Sequence, residues 1–180
     1  MQGMPTLVVH TDTVPSRMTR LVQSQVEVWL SVRSVEYRVS GVGSAELSLE
    51  VNKASAIISL GICADSGSAA LSRFLRQLPE DRLAGIPFLL IRSAAFDADS
   101  DSGLGGLWLA LQRAGIGVLL KPVLLEGLPG HGDGLSARDS RLLSEGLLAL
   151  VESLDFCRRL RQKQESLELA EFFAHAPLLA

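Results

Sequence analysis

Ile86-Pro87-Phe88-Leu89-Leu90-Ile91 is the stretch on which the fold turns. Gly85 precedes it, Arg92 follows it, and no polar side chain interrupts it. An alternating strand covers one face of a sheet. A strand that is apolar throughout is buried on both faces, as in the middle of a parallel sheet packed between helices. Working outward, Ser55-Ala56-Ile57-Ile58-Ser59-Leu60-Gly61-Ile62 and Thr6-Leu7-Val8-Val9-His10-Thr11 read as further buried strands, and Val118 to Leu125 as the last one. Val35-Glu36-Tyr37-Arg38-Val39 alternates, which suits an outer strand.

Helical patterns separate these strands. After Pro15-Ser16, residues Met18, Leu21, Val22, Gln25, Val28, Trp29 and Val32 fall on one face. Gly41 to Ala54 holds one or two helical turns. Cys63 to Ala70 reads as a small-residue turn, and Leu71, Phe74, Leu75 and Leu78 as a helix closed by Pro79. Arg92 to Gly103 reads as a polar loop, Leu104 to Ala114 as a helix stopped by Gly115, and Gly127 to Gly134 as a glycine-rich loop. Strands alternating with helices build βαβ units, so the expected fold is a three-layer αβα domain around a doubly wound, five-stranded parallel sheet of order 2-1-3-4-5. That order puts a ligand crevice at the carboxyl ends of strands one, three and four. The loops His10 to Thr19, Gly61 to Ser68 and Arg92 to Gly103 would form it.

From Ser136 a long helix is expected, with Leu143, Leu147, Leu150, Leu154, Cys157 and Leu160 repeating near every 3.5 residues. About two thirds of it closes a domain spanning 1–155. The remainder, 156–180, is longer than the fold needs; either it frays, or it packs on another subunit, and the second reading is preferred. A mean hydropathy of +0.27 is high for a monomer and points the same way.

Composition narrows the function classes. With 180 residues, 47% of them hydrophobic, the chain suits one domain with a substantial core. The net charge of -3 offers no basic footprint for nucleic acid. No apolar run reaches the ~18 residues of a membrane span, and the N-terminus has no signal-peptide pattern. Two cysteines, Cys63 and Cys157, make neither a disulfide framework nor a zinc spacing. A reduced, cytoplasmic protein is expected.

The strongest local signal is Thr11-Asp12-Thr13-Val14-Pro15-Ser16-Arg17-Met18-Thr19, where hydroxyls and an arginine lead into a helix N-terminus. Free amides and the helix dipole favour an anion there. Ser16 and Thr19 also have the spacing of a helix cap, which by itself accounts for them.

This loop resembles that of the NADPH-dependent FMN reductases, a flavodoxin-like family, particularly the branch that supplies reduced flavin to sulfonate monooxygenases. There a Ser-Pro-Arg-x-x-Ser-Arg loop holds the FMN phosphate. Here Thr11 takes the place of the first serine, Asp12 of the proline and Thr13 of the arginine, while Ser16-Arg17 match as they stand. The resemblance runs through Lys53 to Cys63, Ser68 to Ser72 and Leu78 to Gly85, and covers about residues 5 to 155. It implies that Thr11, Thr13, Ser16, Arg17 and Thr19 hold the phosphate. It also implies that Ile62, Cys63, Ala64 and Asp65, with Ser93 and Ala94, line the flavin ring, and that hydride passes from NAD(P)H through FMN. Such chemistry belongs to the cofactor, so no catalytic acid or base is expected. The chain departs from the family at Gly61-Ile62-Cys63, where the family has Pro-Val-Tyr, and at Ser93-Ala94-Ala95, where it has Thr-Gly-Gly. Asp12 adds a negative charge beside the phosphate position.

These departures support a second reading: a flavodoxin-like subunit without flavin, acting in assembly or regulation through its C-terminal helix. Weaker patterns carry less. Asp97-x-Asp99-x-Asp101 opens like a calcium loop, but its twelfth position is Trp108, so a solvated acidic loop is expected and no metal. Gly103-x-Gly105-Gly106 is no dinucleotide fingerprint, Cys63 reads as a small core residue, and His10, His131 and His175 share no spacing.

Overall fold

The computed structural model describes residues 5–11, 15–61, 65–93, 101–126 and 134–175. In chain order it forms β1 (Thr6–His10), α1 (Arg17–Val32), β2 (Tyr37–Gly41), α2 (Leu47–Val51), β3 (Ala56–Gly61) and α3 (Asp65–Gln77). These are followed by β4 (Pro87–Ser93), α4 (Asp101–Arg113), β5 (Val118–Leu119), β6 (Val123–Leu125) and α5 (Ala137–His175).

The strands lie in the order β2-β1-β3-β4-β5, and every pairing is parallel. This is the expected doubly wound sheet with helices on both faces. The central register places Val8 between Val39 and Ile58, and Ile58 opposite Leu89. All seven residues of β4 are buried, which is why its sequence shows no alternation. Side chains leave the sheet in two sets. Leu7, Val9, Ile57, Phe88 and Leu90 pack beneath α2, α3 and α4, with Leu47, Leu75 and Leu107. Val8, Ile58, Leu60, Leu89 and Ile91 pack beneath α1 and α5, with Val26, Leu30, Leu147 and Leu150.

Several boundaries differ from those expected. The last strand, expected from Val118 to Leu125, is divided: β5 pairs with Pro87–Phe88, and β6 pairs with Ile91–Ser93. The division falls at Lys121-Pro122, where proline has no N–H to give the ladder and restricts the residue before it. Leu120 N still donates to Phe88 O at 3.0 Å, so the path along β4 is kept across the break. The outer strand begins at Tyr37, because Val35 N is used to close α1 on Leu30 O. The stretch expected as a turn from Cys63 to Ala70 is helical from Asp65, and α4 begins at Asp101 rather than Leu104.

Ser16 opens α1, and Ser136 opens α5 by accepting from Asp139 N at 3.0 Å. Asp139 is buried and accepts from Glu126 N at 3.0 Å, tying the end of β6 to the start of α5. Arg138 and Glu126 add an exposed ion pair beside it. Leu143, Leu147, Leu150, Leu154 and Cys157 are the core face of α5. Described side chains from 158 to 168 are all exposed, although the helix continues unbroken to His175. Among the described residues, no helix is long and apolar enough to cross a membrane.

Candidate functional site

The strand order reverses between β1 and β3, which sets the carboxyl ends of β1, β3 and β4 side by side. In open parallel sheets this is where ligands bind, because the connections on either side diverge and leave a crevice. Thr11 closes β1 here: its N–H and its hydroxyl both donate to Leu60 O, each at 3.2 Å. A side chain added at Gly61 would come to 3.7 Å from Thr11 Oγ1 and 3.9 Å from Arg92 Cγ. Thr11, Gly61 and Arg92 therefore form one row across three strands. Alternation from Val9, Ile57 and Leu90 puts that row on the side covered by α2, α3 and α4.

Arg92 lies opposite Gly61 in the ladder and is only 4% exposed. Its assignment to a polar loop is corrected: β4 runs through Arg92 to Ser93. A buried arginine at a ligand edge is uncommon enough to be informative, since guanidinium groups are rarely buried without anionic or hydrogen-bonding partners. Ser93 points to the opposite face, beside Leu125; its hydroxyl is buried and has no hydrogen-bond partner. Such an orphaned polar atom calls for an explanation, and a ligand is one.

The start of α1 forms the other part of the edge. Ser16 has extended backbone angles, and its Oγ accepts from Thr19 N at 3.0 Å. Ser16 Oγ and Thr19 Oγ1 are 2.9 Å apart, and Thr19 is fully buried. Arg17 is the first helical residue and is exposed. Of the residues expected at the site, the structure thus groups Ser16, Arg17 and Thr19 at one helix end and sets Thr11 and Ser93 on the strand ends. Asp65 is the first residue of α3. Thr13, Ile62, Cys63, Ala64 and Ala94 lie outside the described residues, as does Asp12.

A cleft of about 580 Å³ opens next to Thr11, between the ends of β1 and β2 and the side of α3. His10, Ser44, Arg73 and Phe74 are among its walls. The imidazole of His10 lies against Gly41, where a Cβ would come to 2.7 Å from its Cε1; the absence of a side chain at 41 is what admits the ring. Neither His10 nor Arg73 was legible as a site residue, because each is isolated in sequence. Among the described residues, no group of His, Cys, Asp or Glu could hold a metal ion. Cys157 is a buried free thiol on the core face of α5.

The donors at this edge fit an anion. Amides of the first turn of α1 face outward by helix geometry, and the exposed Arg17 adds a positive charge at that helix end. The hydroxyls contribute less than their number suggests. Thr11 spends its proton on Leu60 O, and Ser16 accepts from the helix it caps. A phosphate at this turn would rely on amides and guanidinium.

The sheet order, the two-sided helical cover and the crevice define a flavodoxin-like α/β domain. Solved structures agree. A short-chain flavodoxin associated with a PDU bacterial microcompartment superposes with a TM-score of 0.62 and 14% identity, covering 85% of this chain and 99% of that one. Flavodoxin 2 from Bacillus cereus gives 0.61 at 15% identity, over 82% and 98% of the two chains. An oxidoreductase from Corynebacterium diphtheriae gives 0.60 at 16%, over 85% and 98%. At these identities the likeness establishes architecture. No protein-family model matches the sequence, and no curated protein resembles it significantly.

Proposed function

We propose that the chain is a cytoplasmic FMN-binding redox protein, resembling the NAD(P)H-dependent FMN reductases, with its flavin at the carboxyl edge of β1, β3 and β4. The observation that carries this reading is the juxtaposition at the switch point of a capped helix start bearing Arg17 with the buried Arg92 and the orphaned Ser93 hydroxyl. First-turn amides and Arg17 would receive the phosphate. Gly61 and Ser93 would lie nearest the ring, with Thr11 holding the two strand ends together. Bound FMN supplies acceptance and release of hydride, for which NAD(P)H is the donor. The protein contributes orientation and charge.

Adding the purified protein to FMN tests this directly. We expect quenching of flavin fluorescence with a micromolar dissociation constant, and FMN-dependent consumption of NAD(P)H. Unchanged fluorescence up to about 100 µM protein removes the reading. A flavin-free subunit is the second reading, favoured by the internal commitment of the Thr11 and Ser16 hydroxyls. It predicts that unchanged fluorescence.

A further inference from the structure

The sheet has two edges, and the chain guards only one of them. The far edge is broken between β5 and β6 at Lys121-Pro122, a device that hinders pairing with another strand. At the near edge β2 runs Tyr37-Arg38-Val39-Ser40-Gly41 without proline, and no described strand pairs with its outer side.

The hydrogen bonds show which backbone groups face outward. Thr6 N donates to Glu36 O at 2.8 Å, and Val42 N donates to His10 O at 3.0 Å. Facing alternates along a strand, so Glu36, Arg38, Ser40 and Val42 turn their backbone groups to β1, while Tyr37 and Val39 turn theirs away from it. Among the described residues these outward groups have no partner. The side chains are sorted as well. Val35, Tyr37 and Val39 are half-buried on the face covered by α1 and α5. Arg38 stands beside Leu7 on the opposite face with Glu36, and both charged side chains are exposed. Neither has an ion-pair partner among the described residues.

We infer that β2 pairs with β2 of a second copy of the chain, antiparallel about a two-fold axis at Tyr37, so that one sheet runs through both molecules. Charge selects both the partner and the register. Outward groups must meet outward groups, which allows an axis at Glu36, Tyr37, Arg38 or Val39. An axis at Glu36 sets that carboxylate against itself, and an axis at Arg38 sets that guanidinium against itself. An axis at Val39 leaves Glu36 facing Val42 and Arg38 facing Ser40. With the axis at Tyr37, Glu36 of each copy stands opposite Arg38 of the other, twice by symmetry. Those are non-hydrogen-bonded positions, where Cα atoms lie about 4.5 Å apart and side chains meet closely. The two Tyr37 residues exchange N–H and C=O bonds at the axis. On the other face Val35 stands opposite Val39, and half-exposed apolar surface leaves water. Antiparallel pairing turns the carboxyl edge of the second sheet to the opposite end, so both candidate sites stay open. Pairing at this edge does not depend on flavin.

Charge reversal tests the pairing. Light scattering of the full chain at micromolar concentration should give the mass of a dimer. E36R and R38E should each weaken dimerisation by about tenfold, since each replaces two attractive contacts by two repulsive ones. The double variant E36R/R38E should restore it, because the pair is only exchanged. Both side chains are exposed, so the fold is kept in all three. Hydrogen exchange locates the contact: the amides of Tyr37 and Val39 should exchange slowly in the dimer and faster on dilution or in E36R, while those of Arg38 and Ser40, bonded to β1, stay slow. A monomer at about 100 µM, a dimer indifferent to E36R, or a double variant no better than the singles would each overturn the inference. So would a dimer in which the Tyr37 and Val39 amides exchange as fast as in the monomer, which would put the second copy elsewhere on the molecule.

Discussion

Gly115 sits at φ +81°, with its amide donating to Gln112 O as α4 ends. The left-handed conformation disfavours a side chain, and a Cβ there would lie 2.6 Å from Asp81 Cα. Gly115→Ala should therefore cost about 2 kcal/mol or more, read as a fall of several degrees in Tm. Gly146 is a different case, in the middle of α5, where alanine ordinarily gains about 1 kcal/mol of helix propensity. Here its Cβ would overlap Val123 of β6, so the chain uses glycine to bring α5 down onto the sheet edge. Gly146→Ala should lower stability, and Val123→Ala introduced with it should recover part of the loss; a stabilised single variant would show that Val123 moves aside freely. Ser16→Ala should cost about 1 kcal/mol of stability whether or not FMN is present, because that oxygen caps α1. The loop residues Ser16 and Arg17 were readable from sequence because they abut a helix start. Arg92 was not. A cation after an apolar run reads as the beginning of a loop, and only the alternation Phe88, Leu90, Arg92 within a formed strand shows it to be an inward residue.

At the scale of elements, sequence showed which segments were strands and helices far better than where they began. The starts of α3 and α4 are the clearest examples. Asp65-Ser66-Gly67-Ser68 and Asp101-Ser102-Gly103-Leu104-Gly105-Gly106 have low helix propensity, yet both are helical. Packing of these two helices on each other and on the sheet supplies what propensity lacks. The break between β5 and β6 was written in Lys121-Pro122, although the apolar run on either side masks it. A proline at the exposed side of the last strand also keeps that edge from pairing with another sheet. For α5, truncation after Arg161 should shift Tm by less than about 2 °C, since the core face ends at Cys157 and the bond from Arg161 Nη2 to Gly85 O is kept. Truncation after Phe156 removes Cys157 and that bond, and should lower Tm measurably more.

At the scale of the molecule, four apolar runs and one alternating run, separated by helical patterns, fit the order 2-1-3-4-5 under the right-handed crossover rule. The same order sets the carboxyl ends of β1, β3 and β4 side by side, so the candidate edge was legible even where its chemistry was not. The chemistry depends on whether hydroxyls point out of the turn or into it. For Ser16 the choice rests on the cap bond from Thr19 N, three residues on, whose spacing is visible in the sequence; for Thr11 it rests on a bond to Leu60 O, 49 residues away, which no local pattern encodes. If amides and Arg17 grip a phosphate, binding must discriminate FMN from riboflavin, which differ by that group alone. Charge-assisted hydrogen bonds of this kind contribute about 1.5–3 kcal/mol each. The most direct measurement compares the two flavins by fluorescence titration, with the natural chain and with Arg17→Glu. The account predicts that FMN binds at least about tenfold more tightly than riboflavin, and that Arg17→Glu removes this preference while Tm stays nearly unchanged. Equal affinity for the two flavins, or a preference that survives Arg17→Glu, would contradict it.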